Sequence, residues 1–190
     1  MGYLRIDQVQ LDTLMWPQHR FAYVPIRKAA CTSIREALYH GLGPACIFVD
    51  ARYISELGLP SCTTLAVIRD PRERLRSLFN SLKVNKNMRG LKYRTGLKFN
   101  DFVSQCCKTE DKDADKHFQS ASYQIGDADR LVLYENLQSE WEKLQVEFGL
   151  PDLPHRQAAP GYRRFRRKAR ERVAERYAAD YKLRSKLGAK

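Results

Sequence analysis

The residues with the clearest chemical use in this chain lie in two short segments, the first of which carries two cations. A bend of small residues with Arg27 and Lys28 joins an aromatic-rich apolar run at 21–26 to a pattern with helical spacing. The N–H groups at a helix start have no intrahelical partner and lie at the positive end of the helix dipole, so they bind anions. Either Thr32 or Ser33 is expected to be the N-cap. The segment is therefore predicted to bind phosphate, although it lacks the G-x-x-x-x-G-K-S/T pattern of a Walker motif.

The second segment places an arginine and a serine eight residues apart, at Arg69 and Ser77. Arg69 follows the β-branched run 65–68, which is typical of a buried parallel strand. Asp70, with a proline after it, is a good N-cap, so Ser77 is expected about two turns into a helix. A guanidinium fork and a hydroxyl can together hold one phosphate. The alternative is that Arg69 pairs locally with Asp70 or Glu73.

Strands and helices alternate along the chain, which predicts an α/β fold with a central parallel sheet flanked by helices and right-handed crossovers. Ligands of such sheets bind beyond the carboxyl ends of the strands, where both segments are expected to lie. A single domain is predicted for residues 1–190, with an extension at about 1–20. The predicted strands are 21–25, 46–49, 65–68 and 130–134; the predicted helices are 32–41, 51–57, 71–84, one that Asn100 caps through about 107, and one from the cap Asn136 to Gly149.

Together the two segments resemble the carbohydrate sulfotransferases that use 3′-phosphoadenosine 5′-phosphosulfate (PAPS), especially the chondroitin and dermatan branch. That family has a 5′-phosphosulfate loop of the form P-K-x-A-C-T, which residues 28–32 match, although Pro25 stands three residues before the lysine. Its 3′-phosphate motif, R-D/E-P-x-x-R-L-x-S, is matched by residues 69–77. Weaker similarity covers the stretches 115–124, 130–137, 150–155 and 177–181. The resemblance implies a P-loop-like sulfotransferase fold.

The resemblance also implies an activity, the transfer of a sulfuryl group from PAPS to a hydroxyl of a carbohydrate or glycoconjugate. Lys28 is expected to stabilise the charge that develops on the leaving oxygen. The 3′-phosphate is expected to bind Arg69 and Ser77. The 5′-phosphosulfate is expected to bind the loop amides together with the residues Arg27, Lys28, Ala30, Cys31, Thr32 and Ser33.

A general base for the acceptor hydroxyl is expected among the histidines and carboxylates. His117 lies in the family-like segment and is the candidate. Asp115 and Glu135 are alternative bases, and His155 is a minor alternative because its loop could approach the nucleotide. No metal is required, and no cluster of His, Cys and carboxylate residues has metal-ligand spacing.

The positive charge is concentrated near the C-terminus. The net charge is +12, and from His155 onward 13 Lys or Arg residues face 3 acids. One interpretation is a solvated basic C-terminal helix at 156–190, docked by an apolar stripe of Val173, Tyr177 and Tyr181. Another is that these arginines approach the 3′-phosphate or a polyanionic acceptor. Nucleic acid is the least favoured partner.

The composition also bears on compartment and on rival functions. The five cysteines are scattered and odd in number, which argues against a disulfide framework, and no run has the length of a membrane span. A cytoplasmic enzyme is expected; the alternative is a Golgi-lumen catalytic fragment without its anchor. The rival functions are a nucleotide kinase-like P-loop enzyme and a non-catalytic polyanion-binding module on a sulfotransferase fold. Acceptor specificity is expected from the loops 86–98 and 108–125.

Overall fold

The computed structural model describes residues 13–49, 62–84, 97–126, 128–154 and 163–189. Three predicted features lie outside the described residues: the helix at 51–57, residues 86–96 of the loop 86–98, and His155.

The centre of the fold is a parallel part of one five-stranded sheet. Strands β2 (Phe21–Val24), β4 (Thr63–Ile68) and β5 (Arg130–Leu133) lie side by side. β4 pairs in parallel with both of its neighbours. All four residues of β2 are buried, as are all but the first of β4, as expected of strands covered on both faces. The α/β fold with parallel central strands is thus confirmed.

The sheet is mixed because two further strands are antiparallel. β1 (Thr13–Trp16) lies beside β2, and β3 (Ile47–Val49) pairs with β1 at the edge. A turn of four residues, 17–20, joins β1 to β2, and Arg20 has a left-handed backbone with φ of 51°. Such a connection is too short for a parallel crossover, so the strands must run in opposite directions. The short β1, within the expected N-terminal extension, was not predicted from its sequence.

Seven α-helices are found among the described residues. They are α1 (Cys31–Leu42), α2 (Pro71–Val84), α3 (Phe99–Lys108), α4 (Ala121–Gln124), α5 (Leu137–Phe148), α6 (Arg167–Arg176) and α7 (Ala178–Lys186). The expected cap Asn100 lies inside α3, where its Oδ1 instead accepts the backbone N–H of Arg166 at 2.9 Å. Asn136 precedes α5 but makes no side-chain cap, whereas left-handed Gly149 ends that helix as predicted.

The core has two main parts. The larger lies between the sheet and the helices α1 and α5, with Trp141 fully buried. The other joins α2, α3 and α6 through phenylalanines and the stripe residues Val173 and Tyr177, which are buried as the apolar stripe predicts. The C-terminal segment is not one helix, however, because it breaks at Tyr177 into α6 and α7. None of the described helices is long and apolar enough to cross a membrane.

Candidate active site

The loop between β2 and α1 has a backbone shape suited to anions. Lys28 and Ala30 have left-handed backbones, with φ of 66° and 60°. Each such residue other than glycine costs about 1 to 3 kcal/mol, so the surrounding contacts must hold the loop in this shape. A left-handed Ala30 followed by helical Cys31 turns successive N–H groups to one side, which forms an anion-binding concavity.

This loop also corrects the predicted start of α1. Ala30, not Thr32 or Ser33, is the N-cap, and no side chain caps the helix. The helix begins earlier than predicted because left-handed Ala30 redirects the chain at Cys31. Thr32 is exposed within the first turn, whereas Ser33 is buried. The first-turn N–H groups therefore have no side-chain acceptor among the described residues and stay available to an anion.

Two arginines of the second segment hold the carbonyl groups of this loop. Arg69 Nη1 donates to the Lys28 carbonyl at 3.1 Å, and Arg74 Nε donates to the Arg27 carbonyl at 3.2 Å. The C=O and N–H groups of a trans peptide point in opposite directions. Arg74 therefore directs the N–H of Lys28 to the opposite side of the loop. The two sequence segments thus form one unit.

Arg69 forms no ion pair with the acidic residues next to it in the chain, in the part that the structure describes. Its guanidinium carbon lies 4.2 Å from the centre of the Tyr134 ring, beyond the end of β5. The alternative of pairing with Asp70 or Glu73 is wrong, since Asp70 pairs with Arg72 at 3.2 Å and Glu73 pairs with an arginine one turn further along. Asp70 Oδ1 accepts the N–H groups of the first turn of α2, at 2.8 and 3.2 Å, which confirms it as the N-cap.

Lys28 lies in a half-buried, strongly cationic position. Its Nζ donates to Ser81 Oγ at 2.6 Å, and the Ser81 hydroxyl donates to the Ser77 carbonyl at 2.9 Å. Burial lowers the pKa of Lys28, and the charges of Arg69 and Arg27 lower it further. An anion placed among these groups would relieve that repulsion. Ser81 was missed from the sequence, although its spacing of four residues from Ser77 puts both on one face of α2.

Arg27 has an unused donor beside this loop. Its Nε is buried and has no hydrogen-bond partner among the described residues. A buried guanidinium N–H normally has an acceptor. It adds a further unpaired cationic donor to those of Lys28 and the left-handed loop.

The predicted base lies in a carboxylate–imidazole pair. His117 Nδ1 lies 2.6 Å from Asp115 Oδ1, which also accepts the backbone N–H of His117 at 2.8 Å. Although burial alone would raise the pKa of Asp115, the hydrogen bonds from His117 hold it below its usual value, so this carboxyl is ionised at neutral pH. An ionised carboxylate only accepts hydrogen bonds. Nδ1 therefore carries the proton, and the lone pair of the neutral ring is on Nε2.

This pair lies close to the loop between β2 and α1, residues 25–30, which we call the phosphate loop after its predicted ligand. Arg74 bonds both the Arg27 carbonyl and, through Nη2 at 2.9 Å, the Gln119 carbonyl two residues after His117. The charge of Arg27 also contributes to lowering the pKa of Asp115. Both observations place the His117 segment beside this loop.

The alternative base Glu135 has a different partner. Its two carboxylate oxygens accept hydrogen bonds from the guanidinium of Arg184 at 3.1 and 3.2 Å, which fixes α7 against the turn after β5. The other alternative base, Asp115, instead orients His117 through the hydrogen bond to Nδ1. Within the described parts of the chain, no three His, Cys, Asp or Glu side chains are grouped so that they could hold a metal ion.

The family of the chain follows from its sequence and agrees with this geometry. Residues 11–187 match the model of the family described as the sulfotransferase family. The match spans the segment with Lys28, the segment with Arg69, the Asp115–His117 pair and the helices α6 and α7. No curated protein and no solved structure matches the chain. The chain therefore belongs to the sulfotransferase family, and it is a sulfotransferase.

Proposed function

We propose that this sulfotransferase takes its sulfuryl group from PAPS and transfers it to a hydroxyl of a carbohydrate or glycoconjugate. The observation that carries the proposal is the contact between the two motifs, in which Arg69 holds the carbonyl of Lys28 at 3.1 Å. A nucleotide with two anionic groups, at the 3′ and 5′ positions of one ribose, suits such a pair of neighbouring cationic positions. The carbohydrate acceptor rests on the resemblance of the motifs alone.

The residues divide the work according to their positions. PAPS, when bound, supplies an activated sulfuryl group and a good leaving group. The loop amides, Arg27 and the hydroxyls of the first turn of α1 hold the 5′ end, while Arg69 and Ser77 hold the 3′-phosphate. Lys28 aims its charge at the oxygen where negative charge develops, which favours the transition state over the ground state. To reach that oxygen, its Nζ exchanges the Ser81 hydroxyl for the ligand.

His117 is proposed to remove the proton of the acceptor hydroxyl. Its Nε2 lone pair is free to accept because Asp115 fixes the proton on Nδ1. Asp115 also stabilises the imidazolium that forms when the proton is taken. The acceptor hydroxyl must then bind between Nε2 and the sulfuryl group held by the loop.

Calorimetry with adenosine 3′,5′-bisphosphate tests the donor. The full chain should bind this nucleotide with micromolar or better affinity, without a need for magnesium. Binding of Mg-ATP in preference to the bisphosphate would indicate a kinase-like enzyme, and failure of a folded chain to bind the bisphosphate would contradict the proposal. The acceptor is tested separately by transfer of labelled sulfate from PAPS to a panel of glycans.

A substitution of His117 tests the base. H117A should lower kcat by about 10² to 10⁴-fold, the usual contribution of a positioned general base. Its affinity for adenosine 3′,5′-bisphosphate should stay within about twofold, since the base contacts the acceptor and not the nucleotide. The matched control is H40A, an exposed histidine near the end of α1; equal rates in H117A and H40A would exclude His117 as the base.

A further inference from the structure

Arg74 is a buried cation at the junction of three parts of the molecule. Its side chain is 2% exposed, and Nε and Nη2 donate to the carbonyls of Arg27 and Gln119 at 3.2 and 2.9 Å. Nη1 lies 3.5 Å from Asp180 Oδ2 of α7, and no hydrogen bond forms at this nitrogen among the described residues. One guanidinium therefore contacts the phosphate loop, the segment after His117 and the last helix.

The partner carboxylate is itself held by backbone N–H groups, and one of them binds the same oxygen, Oδ2, that faces Arg74. Asp180 is fully buried, and its two oxygens accept the backbone N–H groups of Ala121 and Ser122 at 2.9 and 2.8 Å. These N–H groups belong to the start of α4, directly after the His117 segment. One turn earlier on the C-terminal segment, the Tyr177 hydroxyl donates to the Phe118 carbonyl at 2.6 Å. The carboxylate that faces Arg74 is thus a rigid anchor.

The shape of the guanidinium matters as much as its charge. It is planar, remains protonated and presents its N–H groups in a fixed fork, whereas an ammonium group is a point charge that cannot reach several separate acceptors in one plane. The fork therefore sets the separation between the Arg27 and Gln119 carbonyls. It also turns the N–H of Lys28 away from Arg74, toward the concave side of the loop.

We infer that Arg74 is a positioning residue that holds the phosphate loop in its anion-binding shape and sets its distance from the His117 segment, with Asp180 as its anchor. The inference rests on the proposed function, because it assigns the loop to the 5′ end of the nucleotide. Arg74 is buried, and its two hydrogen bonds go to backbone carbonyls. Its effect on binding should therefore pass entirely through the loop.

The test compares R74K with the unmodified chain and uses two nucleotides, adenosine 3′,5′-bisphosphate and 5′-AMP. R74K keeps the charge and loses the fork. The dissociation constants of both nucleotides should rise by a similar factor of about tenfold, because both place a phosphate at the loop. Hydrogen exchange of a peptide covering residues 26–33 should be faster in R74K without ligand. D180N, which keeps the size of the anchor but loses its charge, should show the same two changes and serves if R74K does not fold.

The matched control is R72K, an arginine of the same helix whose guanidinium is exposed and pairs with Asp70. It should leave both dissociation constants and the exchange of the loop unchanged. A lower melting temperature in R74K or D180N with unchanged nucleotide affinity would show a purely structural role and overturn the inference. If the unmodified chain binds neither nucleotide, the proposed function fails first; if it binds and the variants bind equally well, only the role of Arg74 fails.

Discussion

Replacing Lys28 by methionine should lower kcat by about 10³-fold, which corresponds to about 4 kcal/mol of transition-state stabilisation. Methionine keeps an unbranched side chain of similar length and removes only the charge and its donors. The left-handed backbone at this position disfavours lysine and methionine alike, so the substitution adds no backbone strain. The measurement is the initial rate of sulfate transfer from labelled PAPS, together with the affinity for adenosine 3′,5′-bisphosphate.

Two matched variants test whether the loss of rate is specific to Lys28. K83M removes an exposed lysine of α2 that lies over the Phe79 ring, and it should leave the rate unchanged. S81A removes the hydroxyl that now holds Lys28, so it should change kcat by less than about tenfold, the scale of a single hydrogen bond. A K28M enzyme as fast as K83M would contradict the role of Lys28.

The same lysine predicts how nucleotide affinity depends on alkaline pH. Burial and the neighbouring arginines lower the pKa of Lys28 below its ordinary value of 10.5, whereas a bound anion favours the charged form and raises it again. Binding therefore takes up protons between the two values, and affinity should fall as the pH rises through the lowered pKa. K28M binds more weakly but should lack this part of the pH dependence.

The parts of the site that the sequence predicted are those built from neighbours in the chain. The run from β4 through Asp70 to α2 is a strand, a cap and a helix in direct succession, so local rules identified all three. The loop with Lys28 was recognised by the same succession. Arg69 and Lys28 then meet because the parallel strands β2 and β4 are adjacent and both end at the same edge.

The parts that could not be predicted depend on contacts between distant residues. The pairing of Arg74 with Asp180 joins residues more than 100 positions apart. Both lie in family-like stretches of the sequence, but nothing local to either residue shows that the two side chains are partners. The start of α1 was placed wrongly because left-handed Ala30 is held by its surroundings and not by its own preference. Ser81 could be identified as the partner of Lys28 only with knowledge of the helix face on which it lies and of the position of the Lys28 side chain.

Replacing Arg69 by methionine should raise the dissociation constant of adenosine 3′,5′-bisphosphate by about 100-fold, the scale of charged hydrogen bonds to a phosphate. The guanidinium lies over the Tyr134 ring, and one of its nitrogens bonds the Lys28 carbonyl. Among the described residues, no carboxylate forms an ion pair with Arg69. Its remaining N–H groups can therefore serve the 3′-phosphate. Calorimetry on R69M and on the control R72M, which should bind like the unmodified chain, measures the effect.

A second nucleotide separates the two contacts of Arg69. Loss of the bond to the Lys28 carbonyl should disturb the loop and weaken every ligand with a 5′-phosphate, whereas loss of the 3′-phosphate contact affects only the bisphosphate. R69M should therefore raise the dissociation constant of 5′-AMP by no more than about fivefold, the scale of one neutral hydrogen bond. Equal losses for the two nucleotides would assign Arg69 to the support of the loop and leave the 3′-phosphate to other residues. A selective loss of the bisphosphate would place the two phosphates at the two motifs, with Arg69 joining them.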